Sequence, residues 1–103
     1  MEILDCIGVL KALGEENRLR LVRELLAGPL GVNQLAEACG QTQYNVSKHL
    51  RTLREAGLVE LEKQGQMRVY RLSPELRSQL KKQRTVIDLG CCTFDFGEPA
   101  PTA

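Results

Sequence analysis

Residues 31–57 contain two amphipathic helical segments separated by a very short turn, and this arrangement restricts the fold more than any other feature. In both segments apolar side chains recur at intervals of three and four residues, at Val32, Leu35, Ala36, Cys39, Val46, Leu50 and Leu53. Gly40 ends the first segment, Thr42 is a suitable N-cap for the second, and Gly57 marks its end. Two helices joined by so short a glycine-containing turn indicate a helix-turn-helix.

The segments on either side add further elements in a definite order. Two amphipathic helices are predicted before the helix-turn-helix, over residues 3–13 and 15–26. The segments LVELEKQ and QMRVYRL follow it, and the turn at Gly65 between them is typical of a β-hairpin. Ser73 and Pro74 then begin a fifth helix, which we expect to extend into the low eighties. This order predicts a winged helix-turn-helix, mainly α-helical with a β-hairpin wing.

Length and composition indicate a small globular protein. At 103 residues the chain is expected to form one compact unit, and 43% hydrophobic with 26% charged residues excludes a chain disordered throughout. The apolar N-terminus begins with acids and breaks after a short stretch, so it is neither a signal peptide nor a membrane span. We therefore expect a cytoplasmic protein whose four cysteines remain reduced thiols.

Three phrases of the sequence, in this order, resemble one known family. RLRLVRELL, VSKHLRTLREAGLVE and VYRL are similar to segments of the ArsR/SmtB family of bacterial metalloregulatory repressors. The resemblance implies a repressor rather than an enzyme, and a homodimer built mainly from the first and last helices. It also implies that two recognition helices enter successive major grooves of a double-stranded operator with two-fold symmetry. Half-sites about 34 Å apart suit such a dimer.

The start of the fourth helix and the wing supply the candidate DNA contacts. On the helix and on the wing these are Gln43, Tyr44, Asn45, Ser47, Lys48, Arg51, Arg54, Lys63, Gln64, Gln66 and Arg68. Gln and Asn side chains can read adenine, whereas Tyr, Ser and Lys more often hold phosphate. Arg51 and Arg54 fit a solvated helix face equally well. We expect His49 to pack at a helix junction and Arg18 to lie on the solvated face of the second helix.

The effector sites that the resemblance implies have no counterpart in this chain. The family's arsenic and cadmium site uses two cysteines, one residue apart, in the third helix, where this chain has Gly31 and Asn33. Its zinc site uses Asp and His pairs on the last helix, but His49 is the only histidine of the sequence. An effector must therefore bind elsewhere.

Cys91 and Cys92 are the remaining candidate ligands, with Cys6 as a third. A disulfide between adjacent cysteines is unfavourable, because their Cα atoms are only about 3.8 Å apart. A turn at Gly90 would instead bring both sulfurs to one side, where two thiolates chelate soft ions well. Arsenite needs a third sulfur, whereas a methylated trivalent arsenical needs two. Cys39 is expected to act as a small buried hydrophobe.

The sequence therefore predicts a transcriptional repressor that a thiophilic effector, foremost trivalent arsenic, releases from DNA. Residues 1–84 are the expected DNA-binding and dimerisation domain, and residues 85–103 are the expected effector-binding tail, extended or irregular up to residue 96. Two alternatives stay open: a thiol-based redox or persulfide sensor with the same fold, and a thiol oxidoreductase or metal carrier without DNA function. The absence of a Cys-x-x-Cys motif disfavours the last.

Overall fold

The computed structural model describes residues 5–81 and 85–97. Its helices are α1 (Cys6–Leu13), α2 (Glu16–Leu25), α3 (Val32–Cys39), α4 (Gln43–Glu55) and α5 (Pro74–Arg77). Its strands are β1 (Leu30–Gly31), β2 (Val59–Gln64), β3 (Met67–Leu72), β4 (Leu80–Lys81), β5 (Val86–Asp88) and β6 (Thr93–Asp95). They form two antiparallel sheets, ordered β1-β3-β2 and β4-β5-β6. This order confirms the predicted winged helix-turn-helix.

The helix-turn-helix forms where the sequence predicts it, in α3 and α4. Gly40 adopts the left-handed conformation with φ 64°, and the Gln41 N–H donates to the Ala36 carbonyl at 3.0 Å, which closes α3. Thr42 Oγ1 accepts a hydrogen bond from the Asn45 N–H at 3.1 Å and so begins α4. Both ends of the turn are therefore fixed by local bonds, which set the direction of α4.

The hydrophobic core receives side chains from the first four helices, the wing, α5 and the C-terminal sheet. Its most deeply buried members are Val9, Leu13, Leu21, Val22, Leu25, Leu35, Leu50, Leu53, Leu58, Leu72, Leu76 and Ile87. Burying one such side chain contributes roughly 1.5–3 kcal/mol. On α4, Val46, Leu50 and Leu53 take the inward positions, which leaves the opposite side of the helix to solvent. Within the described residues, no helix is long and apolar enough to cross a membrane.

Strands β2 and β3 form the wing, with Gly65 in its turn at φ 66°. Arg71 on β3 reaches two carboxylates of β2, at 3.3 Å from Glu60 and 3.0 Å from Glu62, and these cross-strand pairs support the register. The two-residue strand β1 pairs with the other edge of β3. Sequence reasoning missed β1 because two residues are too short to show an alternating pattern.

The fifth helix is much shorter than predicted, because α5 ends at Arg77. The Ser78 hydroxyl donates to the Glu75 carbonyl at 2.7 Å, and the Asp88 N–H donates to the Gln79 carbonyl at 2.9 Å. Both bonds take carbonyls that a continuing helix would use. Strand β4 then pairs with β5. The prediction of a helix into the low eighties is wrong as far as residue 81, and the rest of that prediction lies outside the described residues.

Strands β5 and β6 make up half of the segment, residues 85–96, that was predicted to be extended or irregular. Ile87 on β5 is fully buried and Val86 is nearly so, while Phe94 and Phe96 pack against the core. The Phe96 N–H donates to the Thr85 carbonyl at 2.9 Å and ties the end of this hairpin to its beginning. Residues 85–97 are therefore packed on the helices and share their core.

Candidate DNA-contacting face and cysteine cluster

The outer face of α4 carries polar and basic side chains. The exposed candidates on this helix are Gln43, Tyr44, Ser47, Lys48, Arg51 and Arg54, and Asn45 is half-buried. The Tyr44 side chain is 73% exposed, and Lys48 Nζ lies 5.3 Å from the centroid of its ring, which is a cation–π distance. An aromatic ring and a positive charge are thus held together at the start of the helix, where nothing in the core requires them.

Arg51, further along the same face, makes an ion pair that a ligand can replace. Its Nε lies 3.4 Å from Glu55 Oε2, but the two side chains are 80% and 68% exposed. A pair of this kind contributes only about 0.3–0.5 kcal/mol, because water screens both charges. Replacing the Glu55 carboxylate by a DNA phosphate as the partner of Arg51 therefore costs little free energy.

Two positive side chains lie opposite each other near the tip of the wing. Lys63 on β2 and Arg68 on β3 are partners in the strand register, and both are exposed, as are Gln64 and Gln66. Like charges at directly opposite positions destabilise an antiparallel pair. An anion bound beside Lys63 and Arg68 relieves this repulsion, so the wing tip is better suited to a polyanion than to bare solvent.

His49 lies at the junction of α1, α2 and α4, as predicted. Its Nε2 is 3.1 Å from Glu15 Oε2, and its Nδ1 is 3.4 Å from Arg18 Nη1. Arg18 is half-buried, so the prediction that it lies on a solvated face is wrong. The sequence signal for this contact is weak: Glu15 and Arg18 stand one helical turn apart, a spacing that also suits an ordinary surface pair.

The turn between β5 and β6 presents Cys91 and Cys92. Gly90 has φ 86°, and its N–H donates to Asp88 Oδ1 at 2.9 Å. The Leu89 N–H donates to the Cys92 carbonyl at 2.9 Å, which closes the hairpin around Gly90 and Cys91. A glycine at the first central position is typical of two-residue hairpin loops of type II′. This tight turn brings Cys92 Sγ to 3.8 Å from Cys91 Sγ.

Cys6, the first residue of α1, completes the cysteine cluster, which we define as Cys6, Cys91 and Cys92. Cys6 and Cys91 are joined as a disulfide with their Cα atoms 6.7 Å apart. The prediction that all four cysteines remain thiols is therefore wrong for this pair, and Cys39 and Cys92 are the free ones. The sequence indicates Cys6 as a third ligand beside Cys91 and Cys92 but does not predict the disulfide, because a cytoplasmic protein is expected to keep its thiols reduced.

The disulfide form of the cluster is not a metal site. Metals bind the thiolate, and two of these three sulfurs are bonded to each other. Over residues 5–81 and 85–97, no three His, Cys, Asp or Glu side chains are grouped in a way that could hold a metal ion. The cluster therefore offers several ligands to a soft ion only after the disulfide has been reduced.

Cys39 is separate from the cluster and behaves as the sequence predicts. Its side chain is 3% exposed in the core, at the end of α3. Burial raises the pKa of the Cys39 thiol, and the nearby Glu24 carboxylate raises it further, against a smaller opposing effect of Arg20. The thiol is therefore neutral at ordinary pH and serves as a small apolar group.

With this geometry established, comparison with known proteins shows what the chain is similar to. A family model described as a helix-turn-helix domain matches residues 13–62. The arsenical resistance operon repressor of Escherichia coli is 43% identical over 77 residues, which cover 74% of this chain and 66% of that protein. The chain spans about half to two thirds of the length of the curated relatives it matches.

Two solved structures share the fold at substantial sequence identity. Reduced HlyU from Vibrio cholerae is 37% identical with a TM-score of 0.64, over 66% of this chain and 72% of that one. A homodimeric winged helix-turn-helix DNA-binding domain from Mycobacterium bovis, described as a possible ArsR-family regulator, is 33% identical with a TM-score of 0.65. That match covers 68% of this chain and 65% of the other. These relatives are DNA-binding regulators and not enzymes, and the chain belongs to the ArsR/SmtB family of winged-helix transcriptional regulators.

Proposed function

We propose that this protein is a homodimeric repressor that leaves its operator when a trivalent arsenical binds Cys6, Cys91 and Cys92. One observation carries the proposal: the fold gathers three cysteine sulfurs, from positions 85 residues apart, at one place on the surface. The usual core roles do not explain this cluster, since Cys91 is exposed and Cys6 and Cys92 are only half-buried. Trivalent arsenic is a soft centre that prefers sulfur ligands.

The DNA-binding half of the proposal rests on the outer face of α4 and on the wing. In this proposal Gln43 and Asn45 read base edges in the major groove, while Tyr44, Ser47, Lys48 and the two arginines of α4 hold phosphates. Lys63, Gln64, Gln66 and Arg68 of the wing contact the backbone of the adjacent groove. In a two-fold dimer, the two copies of α4 would meet half-sites about 34 Å apart.

The dimer surface is proposed to include α1, which also carries Cys6. Ile7 is 60% exposed and Leu10 is 44% exposed, although both are large apolar residues. They stand three positions apart and so share one face of α1. Covering this face with a second copy removes apolar surface from water, and it places the cysteine cluster beside the interface. A ligand that changes how α1 is held can therefore change the spacing of the two recognition helices.

The binding chemistry balances without an additional reactant once the thiols are free. A dithiol reductant first supplies two electrons and two protons to the Cys6–Cys91 disulfide and is itself oxidised. Each thiol then forms one As–S bond to arsenous acid as one As–O bond breaks, and the thiol proton leaves with the oxygen as water. Three thiols take up arsenite with loss of three waters; two thiols suffice for methylarsonous acid. A hundredfold loss of DNA affinity corresponds to about 2.7 kcal/mol of coupling.

Operator release by arsenicals is the direct test. Duplex DNA is first selected by the protein from a random-sequence pool, and its binding to fully reduced, reductant-free protein is measured by fluorescence anisotropy under anaerobic conditions. We expect arsenite and methylarsonous acid to release the wild type and the matched control Cys39→Ser. Cys91→Ser and Cys92→Ser should stay bound, and Cys6→Ser should lose the response to arsenite. Equal release of all variants contradicts the proposed site.

The disulfide favours a second candidate function, a repressor that senses oxidants through the same cluster. Peroxide oxidises the Cys6 and Cys91 thiols to the disulfide and is itself reduced to two waters. This reaction links α1 to the β5–β6 turn, as an arsenical would. If peroxide releases the wild type from DNA and arsenicals do not, and Cys6→Ser abolishes the response, the oxidant sensor replaces the arsenical sensor.

A further inference from the structure

Arg18 connects the helices α1, α2 and α4. Its guanidinium contacts the C-terminal turn of α1 and the imidazole of His49 on α4, while its own backbone belongs to α2. We infer that Arg18 is a positioning residue, which together with His49 transmits the state of the cysteine cluster from α1 to the recognition helix α4. This inference rests on the proposed function, since it concerns how effector binding reaches DNA.

The first link joins Arg18 to α1. Arg18 Nε donates to the Ala12 carbonyl, and Nη2 donates to the Lys11 carbonyl at 3.4 Å. Both carbonyls belong to the last turn of α1, where no intrahelical N–H is available to them. A cation at this end of a helix also complements the partial negative charge of the helix terminus. The guanidinium therefore acts as a cap that must follow α1 whenever α1 moves.

The second link joins Arg18 to α4 through the imidazole of His49. A guanidinium has only N–H donors, so at 3.4 Å from Arg18 Nη1 the Nδ1 atom of His49 must be the acceptor. The ring proton is then on Nε2, which donates to Glu15 Oε2 at 3.1 Å. Glu15 is in turn held as the N-cap of α2, where its Oε1 accepts from the Asn17 N–H at 2.6 Å. Both ring nitrogens are thus oriented by groups at the α1–α2 junction.

His49 occupies a position on α4 from which it can affect DNA binding. It stands between Lys48, which is on the exposed face, and Leu50, which is fully buried in the core. Contacts that hold the imidazole therefore help to position the helix that carries Tyr44 and Lys48. The Arg18–His49 contact sets this position from the side of α1.

The distance from the cluster to this contact is spanned by a single short helix. Cys6 begins α1, and Lys11 and Ala12 lie in its last turn. At 1.5 Å per residue this is about 9 Å of continuous helix. An effector that binds Cys6 acts on one end of α1, and Arg18 is attached to the other end. The path therefore runs from Cys6 along α1 to Arg18, which is hydrogen-bonded to the end of α1. From Arg18 it continues through the contact with His49 to α4.

The test compares the allosteric response of Arg18 and His49 variants with that of a matched control. Arg18→Lys keeps the charge but has one nitrogen in place of the three, Nε, Nη1 and Nη2, that make these contacts. His49→Gln keeps a donor and an acceptor, and His49→Ala keeps neither. The control is Arg20→Met, since Arg20 is an exposed arginine on the same helix. For each fully reduced protein, arsenite affinity is measured by calorimetry without DNA, and operator affinity by anisotropy with and without arsenite.

The decisive quantity is the ratio of operator affinities without and with arsenite. We expect about a hundredfold ratio in the wild type and Arg20→Met, and less than about tenfold in Arg18→Lys and His49→Ala, with arsenite affinity unchanged. His49→Gln should recover part of the ratio, which a residue needed only for folding would not do. A wild-type ratio in both Arg18→Lys and His49→Ala overturns this inference and leaves the proposed function standing. Failure of the wild type itself to bind arsenite or to leave the operator overturns both.

Discussion

Cys6 and Cys91 are separated by 85 positions along the chain, yet they are bonded to each other with their Cα atoms 6.7 Å apart. The bond fastens the first turn of α1 to the β5–β6 turn, and Cys92 Sγ lies 3.8 Å from Cys91 Sγ. The disulfide and an arsenical adduct thus each connect the same two segments covalently, whereas free thiols leave them unconnected. Each state holds α1 differently, which is why the cluster can influence the rest of the fold.

Oxidation of the Cys6–Cys91 pair should stabilise the protein. The bond closes a long loop, so it restricts the unfolded chain and should raise the free energy of unfolding by about 2–4 kcal/mol. Urea unfolding of the wild type with and without a reductant measures this difference. Cys6→Ser should unfold at the same urea concentration under both conditions. Identical midpoints for oxidised and reduced wild type would contradict the prediction.

The C-terminal sheet should contribute to stability as much as a helix of the core does. Ile87 on β5 is fully buried, so Ile87→Ala removes apolar contacts, leaves a cavity and should cost about 2–5 kcal/mol. Thr93→Ala on the neighbouring strand β6 is the control, because Thr93 is exposed. Thermal or urea unfolding measures both. An equally small effect of the two substitutions would show that the sheet is not coupled to the core.

The helix-turn-helix could be predicted because it depends on interactions between residues close together in the sequence. Interactions between residues far apart in the sequence could not be predicted. Gly40 and Thr42 end one helix and begin the next through bonds within five residues, so their sequence positions predict the turn directly. The prediction of the C-terminal half of the fifth helix was wrong for the opposite reason. The Gln79 carbonyl accepts from the Asp88 N–H, nine positions away, and this strand pairing outweighs local helical preference.

The candidate site divides in the same way. The turn at Gly90 that brings Cys91 and Cys92 together was predictable, because a glycine there permits a hairpin of two residues. Cys6 was also predicted as a third ligand, but its disulfide with Cys91 was not, since reduced thiols were expected. Arg18 was misassigned for a similar reason: a basic residue on an amphipathic helix usually faces water, and only tertiary packing brings His49 to it.

Cys39 should make stability fall at alkaline pH. Burial, with Glu24, raises the pKa of this thiol in the folded protein, so the unfolded chain loses the thiol proton at a lower pH than the folded protein does. The stabilisation is therefore complete below the ordinary thiol pKa and is lost as the pH rises through the folded value. Urea unfolding across this range, compared with Cys39→Ala, measures the effect. A wild type and Cys39→Ala with parallel pH dependence would contradict it.

Tyr44 should matter for DNA and hardly at all for folding. Its side chain is 73% exposed, so Tyr44→Ala should change the free energy of unfolding by no more than about 0.5 kcal/mol. In the proposed interface the same substitution removes a phosphate contact and frees Lys48, so operator affinity should fall at least about tenfold. Glu37→Ala, an exposed position on α3, is the control. Unchanged operator affinity in Tyr44→Ala would exclude this residue from the interface.

The two positive charges that face each other on the wing should favour DNA binding at the expense of folding stability. Lys63 and Arg68 are register partners, so Lys63→Gln removes a like-charge repulsion and should leave the free protein equally or slightly more stable. If Lys63 holds a phosphate, the same variant should bind all duplexes more weakly, and the slope of log affinity against log salt should decrease by about one. Lys81→Gln, exposed on β4 in the C-terminal sheet, should leave the slope unchanged. Equal slopes for Lys63→Gln and wild type would place the wing tip outside the interface. Each phosphate contact that is lost reduces the number of counterions released on binding, so a lost contact must lower the slope.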